Sequence, residues 1–149
     1  MTDTVTFKLA NQNGDQISSE DFSGKKYVMF FYPRAMTPGC TMESCDFRDS
    51  YSEFRDAGYE IVGVSPDPPS RNARFKEKEG LSFDLLSDED HTLAESLGAW
   101  GKKELYGKKM EGIIRSTFVI DENGQVEKSY RNVRAKGHVG RVKADLLEA

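Results

Sequence analysis

The sequence predicts an α/β three-layer sandwich with a mixed central sheet. Between residues 27 and 97, short apolar runs of strand length alternate with segments of helical period. After them come a β-hairpin signal and one closing amphipathic segment. Strands interleaved with helices build a parallel core, and a terminal hairpin adds antiparallel members, so the sheet is mixed.

Val5-Thr6-Phe7-Lys8-Leu9 alternates and is expected to form a strand, followed by the turn signal Asn13-Gly14-Asp15. Tyr27-Val28-Met29-Phe30-Phe31-Tyr32 is aromatic and β-branched and reads as a buried strand, stopped by Pro33, which lacks a ladder donor. Thr37 is placed as an N-cap with Pro38 at the first helical position, opening a helix to about Ala57, where Gly58 suits the residue beyond its end. Glu60 to Ser65 is the next buried strand. Pro66, Pro68 and Pro69 mark the turn into a helix from Ser70 to Glu79. Phe83 to Leu86 is a short strand, and Asp88 or Asp90 caps a helix through Leu97, ended by Gly98. Gly101 to Gly112, charged and punctuated by glycine, reads as a loop. Ser116 to Ile120 and Gln125 to Asn132 form a hairpin around Glu122-Asn123-Gly124, and Gly137 to Leu147 is a helix with Val139, Val142, Leu146 and Leu147 on one face.

The chain has 149 residues, which suits a single domain spanning 1–149. Its apolar and charged fractions, 37% and 31%, are those of a globular protein rather than a disordered one. The net charge of −4 argues against nucleic acid, whose binding needs a basic surface. No apolar run reaches the ~18 residues of a membrane span, and the N-terminus lacks a basic region followed by an apolar one. A cytoplasmic location is the expectation. In such a reducing compartment two cysteines five residues apart, Cys40 and Cys45, read as catalytic or metal-binding rather than structural. Zinc held by Cys40, Cys45, His91 and His138 fits no common spacing, and both histidines are expected at the surface. No cofactor is called for.

The predicted helix starts at the end of a predicted strand and carries Cys40 in its first turn. First-turn amides lack intrahelical partners and carry partial positive charge, so a thiol placed there ionises more readily, and the thiolate is the nucleophile. The Thr37 hydroxyl can donate to a thiolate or a bound oxygen, and Gly39 leaves room for a small substrate at the backbone.

Pro33-x-x-x-Thr37-x-x-Cys40 matches the P-x-x-x-T-x-x-C motif of peroxiredoxins. With Cys45 five residues on, the stretch resembles the Q type, the bacterioferritin comigratory proteins. Ser65-Pro66-Asp67, Leu85-Leu86-Ser87-Asp88 and Arg115-Ser116-Thr117-Phe118-Val119-Ile120-Asp121 extend the resemblance over the whole chain. One residue departs: relatives often carry a polar side chain where Met36 stands. The resemblance implies a thioredoxin-like fold with extra strands at the front and an inserted βα unit. It implies a hydroperoxide substrate, a Cys40 sulfenic acid resolved by Cys45, a thioredoxin-like dithiol reductant, and a monomer, with dimers known among relatives. It also selects Arg115, out of nine arginines, as the guanidinium beside the sulfur, with Glu43 to hold it.

Spacing adds a constraint of its own. On an ideal helix two residues five apart have Cα atoms roughly 8.7 Å apart, beyond the ~7 Å that a disulfide tolerates. The first turns must therefore unwind before Cys40 and Cys45 can bond. Two other roles fit the same fold. A general thiol–disulfide oxidoreductase wants C-x-x-C, which is missing, and a peroxide sensor would oxidise without turning over.

Overall fold

A computed structural model describes residues 4–105 and 107–147. Its strands are β1 (Lys8–Ala10), β2 (Gln16–Ser18), β3 (Lys26–Phe31), β4 (Tyr59–Ser65), β5 (Asp84–Ser87), β6 (Trp100–Leu105), β7 (Lys108–Ile113), β8 (Ser116–Ile120) and β9 (Val126–Tyr130). Its helices are α1 (Pro38–Asp56), α2 (Pro69–Glu79), α3 (Thr92–Leu97) and α4 (His138–Leu147), with one 3-10 turn at Ser19–Phe22.

Seven strands form one sheet in the order β2-β1-β5-β4-β3-β8-β9. β3, β4 and β5 run parallel, while β8 lies antiparallel to β3, so the sheet is mixed as expected. β3 explains its unbroken apolar run. Val28, Phe30 and Tyr32 face one core with Phe47, Phe54, Phe75, Val139 and Val142 of the helices. Tyr27, Met29 and Phe31 face the other core with Leu93 and Ala94 of α3. A strand buried on both sides cannot show polar alternation. α1, α2 and α4 therefore cover one face and α3 the other, giving the three layers. Among the described residues no helix is long and apolar enough to cross a membrane.

Two elements differ from the sequence reading. The expected strand Val5–Leu9 is laddered only from Lys8. Val5 and Phe7 do point inward, but the Val5 amide donates to the Gly124 carbonyl at 2.7 Å, so the alternation is real while the partner is a turn. The Asn11 side chain accepts from the amides of Asn13 and Asp15 and closes the turn into β2. The segment Gly101 to Gly112, expected as a loop, forms most of the β6–β7 hairpin, registered from Trp100↔Ile113 to Leu105↔Lys108. It is a separate two-stranded sheet. The segment is charged and punctuated by glycine, so no apolar pattern announced it. Its base is tied down where the Ile114 amide donates to the Ala99 carbonyl at 2.8 Å.

The N-cap residue of α3 is His91, at φ 51°, rather than Asp88 or Asp90. The two aspartates still supply the acceptors, Asp88 to the Leu93 and Ala94 amides and Asp90 to that of Thr92.

Gly63 sits at a close approach within the core. A Cβ there would lie 2.8 Å from Leu85, 2.9 Å from Phe30 and 3.1 Å from Tyr32. Gly63→Ala is expected to cost about 1–3 kcal/mol through overpacking, measured as a lower denaturation midpoint with an unchanged slope.

Candidate active site

The strand-to-helix turn that carries Cys40 is held on both sides. β3 makes its last ladder bond as the Tyr32 amide donates to the Val64 carbonyl, and Pro33 follows without a donor. The buried Ala35 amide then donates to Asp67 Oδ2 at 2.7 Å, while Arg71 donates to the Ala35 carbonyl at 2.9 Å. Asp67 and Arg71 pair with each other at 3.2 Å. Ser65 Oγ donates to Asp67 as well. Asp67 thus holds the amide of Ala35 and Arg71 its carbonyl, so both polar groups of one residue in the turn before α1 are clamped. Next comes Met36 at φ 64°, a left-handed conformation that costs a side chain of this size of order 1–3 kcal/mol. Met36 packs against the core. Neither Arg71 nor the strain at Met36 was legible in the sequence; the spacing of Asp67 and Arg71, one helical turn apart, is the one signal that was available.

α1 starts where expected, with Thr37 at the N-cap and Pro38 in its first turn. The hydroxyl does something else, however. Thr37 Oγ1 donates to the Arg34 carbonyl at 2.7 Å and caps no helix amide. Its single proton is engaged by the preceding turn, so in this conformation it is not free to donate to a thiolate.

Arg115 is the hub of the site. It stands just before β8, which pairs Ser116 with Phe31 at the carboxyl end of β3. Its Nη2 donates to Cys40 Sγ at 3.2 Å, and its Nη1 donates to Glu43 Oε1 at 2.6 Å. Cys40 is 1% exposed and Glu43 0%, while the Arg115 side chain keeps 15%. Gly39 is needed here for a reason other than substrate access: a Cβ at that position would sit 3.2 Å from Arg115 Nη2. The missing side chain makes room for the guanidinium.

Burial is the largest influence on Glu43 and lifts its carboxyl from 4.5 to about 7 against the pull of Arg115. His138, expected at the surface, is 4% exposed. Its Nε2 lies 2.7 Å from Thr117 Oγ1 and 3.9 Å from Glu43 Oε2, and its ring meets Phe47 and Tyr130 edge-on. The packing of α4 on α1 encloses it. Burial, with Arg115 and Arg141 nearby, pushes its imidazole down from 6.5 to about 4, so it is neutral at ordinary pH. His91, by contrast, stacks on Trp100 at 3.8 Å and plays no part in the site.

Cys45 lies in the same unbroken helix, α1, and both thiols are free. Its Sγ donates to Glu79 Oε1 at 3.5 Å, and burial together with this acceptor raises its pKa. Arg48 holds the end of α2 beside it through the Glu79 carbonyl at 2.7 Å. The structure therefore gathers Cys40, Arg115, Glu43 and Gly39 at one point, with Pro33 and Thr37 framing it, and keeps Cys45 turned to another helix.

Residues 2–129 match the AhpC/TSA family. The chain is 44% identical over 132 residues to peroxiredoxin Bcp of Escherichia coli K12, covering 89% of this chain and 85% of that one. It is 46% identical over 132 residues to peroxiredoxin Bcp of Bacillus subtilis, covering 89% and 84%. Its fold superposes on the bacterioferritin comigratory protein of Xanthomonas campestris, studied for alkyl peroxide reduction, with a TM-score of 0.88 at 38% identity, covering 94% of this chain and 89% of that one. Peroxidoxin BcpB of Mycobacterium tuberculosis gives 0.84 at 38%, covering 97% and 94%.

The two buried titratable groups pull stability in opposite directions with pH. Glu43 binds its proton more tightly folded than unfolded, so its contribution is full below 4.5 and is lost as pH rises through about 7. His138 binds its proton less tightly folded, so its contribution is full above 6.5 and is lost as pH falls through about 4. Between these limits they largely cancel. Glu43→Gln is expected to expose the histidine alone, with stability to urea rising from pH 4.5 to 6.5; His138→Asn should give the reverse slope.

Proposed function

The chain belongs to the AhpC/TSA family, among its peroxiredoxin Q and Bcp members, and on that premise we propose that it is a single-domain thiol peroxidase that reduces hydroperoxides through Cys40 and is recycled through Cys45. The observation that carries this reading is one guanidinium donating to the sulfur of a nearly buried cysteine in the first turn of a helix.

The chemistry follows from that arrangement. The Cys40 thiolate attacks one peroxide oxygen, the O–O bond breaks, and sulfur becomes a sulfenic acid while water or an alcohol leaves. Negative charge runs along the breaking bond. Arg115 and the first-turn amides of Gly39 and Cys40 are fixed donors beside the place where it develops, where such donors act most strongly. Arg115 serves better than a lysine because its fork can hold Glu43 with one nitrogen and face the sulfur with another.

Cys45 then attacks the sulfenic sulfur, releasing water and forming a disulfide. Both residues occupy a continuous helix, so this step requires the first turns of α1 to open. The Cys45–Glu79 contact must break at the same time. A bond that closes so short a loop is readily reduced, which suits a thioredoxin-like dithiol. The alkyl peroxide reduction of the Xanthomonas relative supports organic hydroperoxides beside hydrogen peroxide as substrates.

Intact-mass analysis after one equivalent of peroxide tests the reading. The unaltered chain is expected to lose two hydrogens as the disulfide forms, and Cys45→Ser to gain one oxygen. Coupled to thioredoxin, thioredoxin reductase and NADPH, the unaltered chain should turn over; oxidation that stops after one equivalent would indicate a sensor instead. Arg115→Lys is expected to lower the rate constant for the peroxide step by about 10²–10³, read by stopped-flow fluorescence.

A further inference from the structure

The thiol chemistry leaves one feature unused. Glu43 is fully buried, its Oε1 is bound to Arg115, and its Oε2 has no hydrogen-bond partner. An ionised carboxylate oxygen sealed in this way is costly. The neighbouring His138 Nε2, at 3.9 Å, is too far to donate and already lies against Thr117.

Counting charge around Arg115 gives the reason. Its guanidinium is a permanent cation that touches two acids at once, Cys40 and Glu43. With both acids ionised, the buried cluster would carry a net negative charge. A thiolate beside a protonated Glu43 balances the arginine. Once the sulfur becomes a neutral sulfenic acid, a Glu43 that kept its proton would leave the guanidinium without a counter-charge. The cluster stays neutral at both stages only when the carboxyl changes protonation as the sulfur changes oxidation state.

We infer that Glu43 is a redox-linked proton store, holding a proton on Oε2 while Cys40 is a thiolate and releasing it when Cys40 becomes a sulfenic acid. The inference rests on the peroxidase reading. Overall, the thiolate, the hydroperoxide and the Glu43 acid give the sulfenic acid, the alcohol or water, and the Glu43 carboxylate. One S–O bond forms and one O–O bond breaks. Sulfur gives up the electron pair and the peroxide receives it. The departing oxygen takes a proton from solvent at the mouth, and Glu43 returns one to solvent.

The surroundings suit this role. Arg115, ahead of β8, favours the ionised carboxylate, and Asp46, farther along α1, opposes it. His138 on α4 is held neutral by burial and by Arg115 and Arg141, so it adds no cation. Tyr32, at the end of β3, is kept protonated by burial. Burial and Arg115 together leave Glu43 at about 7. An anion on Cys40, at the same guanidinium, favours the proton on Glu43, and its loss favours the carboxylate. Once ionised, Glu43 has the guanidinium to itself, and no anion on Cys40 holds the first turn of α1 against Arg115. That is the state from which the helix has to open.

Infrared difference spectra, oxidised minus reduced, on the Cys45→Ser chain given one equivalent of peroxide at neutral to mildly alkaline pH test the inference. The expected result is the loss of one protonated-carboxyl C=O band. The band should shift when the chain is made with carboxyl-labelled glutamate and should vanish in the Glu43→Gln, Cys45→Ser chain. The isotope arm holds even if the double variant does not fold. One oxygen added by mass with no carboxyl band lost, or a band indifferent to labelled glutamate, overturns the inference and leaves the peroxidase reading standing. No oxygen added at all overturns both.

Discussion

One contact orders this molecule: the Arg115 guanidinium lying between Cys40 Sγ at 3.2 Å and Glu43 Oε1 at 2.6 Å. A cation with 15% exposure can be kept there only because two acids answer it. The sulfur in turn sits where first-turn amides leave positive charge uncompensated. Each group alone would be expensive to bury, and together they offset one another's charge.

The fold supplies the precision. Arg115 comes from the strand edge beside β3, while Cys40 and Glu43 come from the helix that follows β3, so pairing of β8 with β3 sets the distance between them. Gly39 leaves the gap the guanidinium occupies. From the other side, Asp67 and Arg71 grip the backbone of Ala35 and hold the strained turn at Met36. Local strain of this kind persists only where neighbours over-determine it. The apolar Met36 side chain packs against the core.

The two cysteines divide the labour through their surroundings. Cys40 is nearly sealed and faces a cation, whereas Cys45 faces the acceptor Glu79 and is kept as a thiol. Such surroundings leave Cys45 a less acidic sulfur than an ordinary thiol. The continuity of α1 fixes the site's geometry and keeps the two sulfurs apart.

Much of this was legible in one dimension. Apolar runs and breakers located the parallel strands and all four helices, because burial and backbone chemistry are local preferences, and the Pro33-x-x-x-Thr37-x-x-Cys40 spacing placed the sulfur at a helix start. Residues distant in sequence were another matter. Arg115 was chosen by resemblance alone, since nine arginines look alike until β8 is paired. The burial of His138, the orphaned oxygen of Glu43, the true partner of the Thr37 hydroxyl and the β6–β7 hairpin depend on which surfaces meet. The sequence by itself determined where the parallel strands and the helices form and which thiol stands at a helix start. Only the tertiary structure decided which charges share an enclosure, because desolvation and Coulomb energy depend on distances in space that no spacing along the chain records.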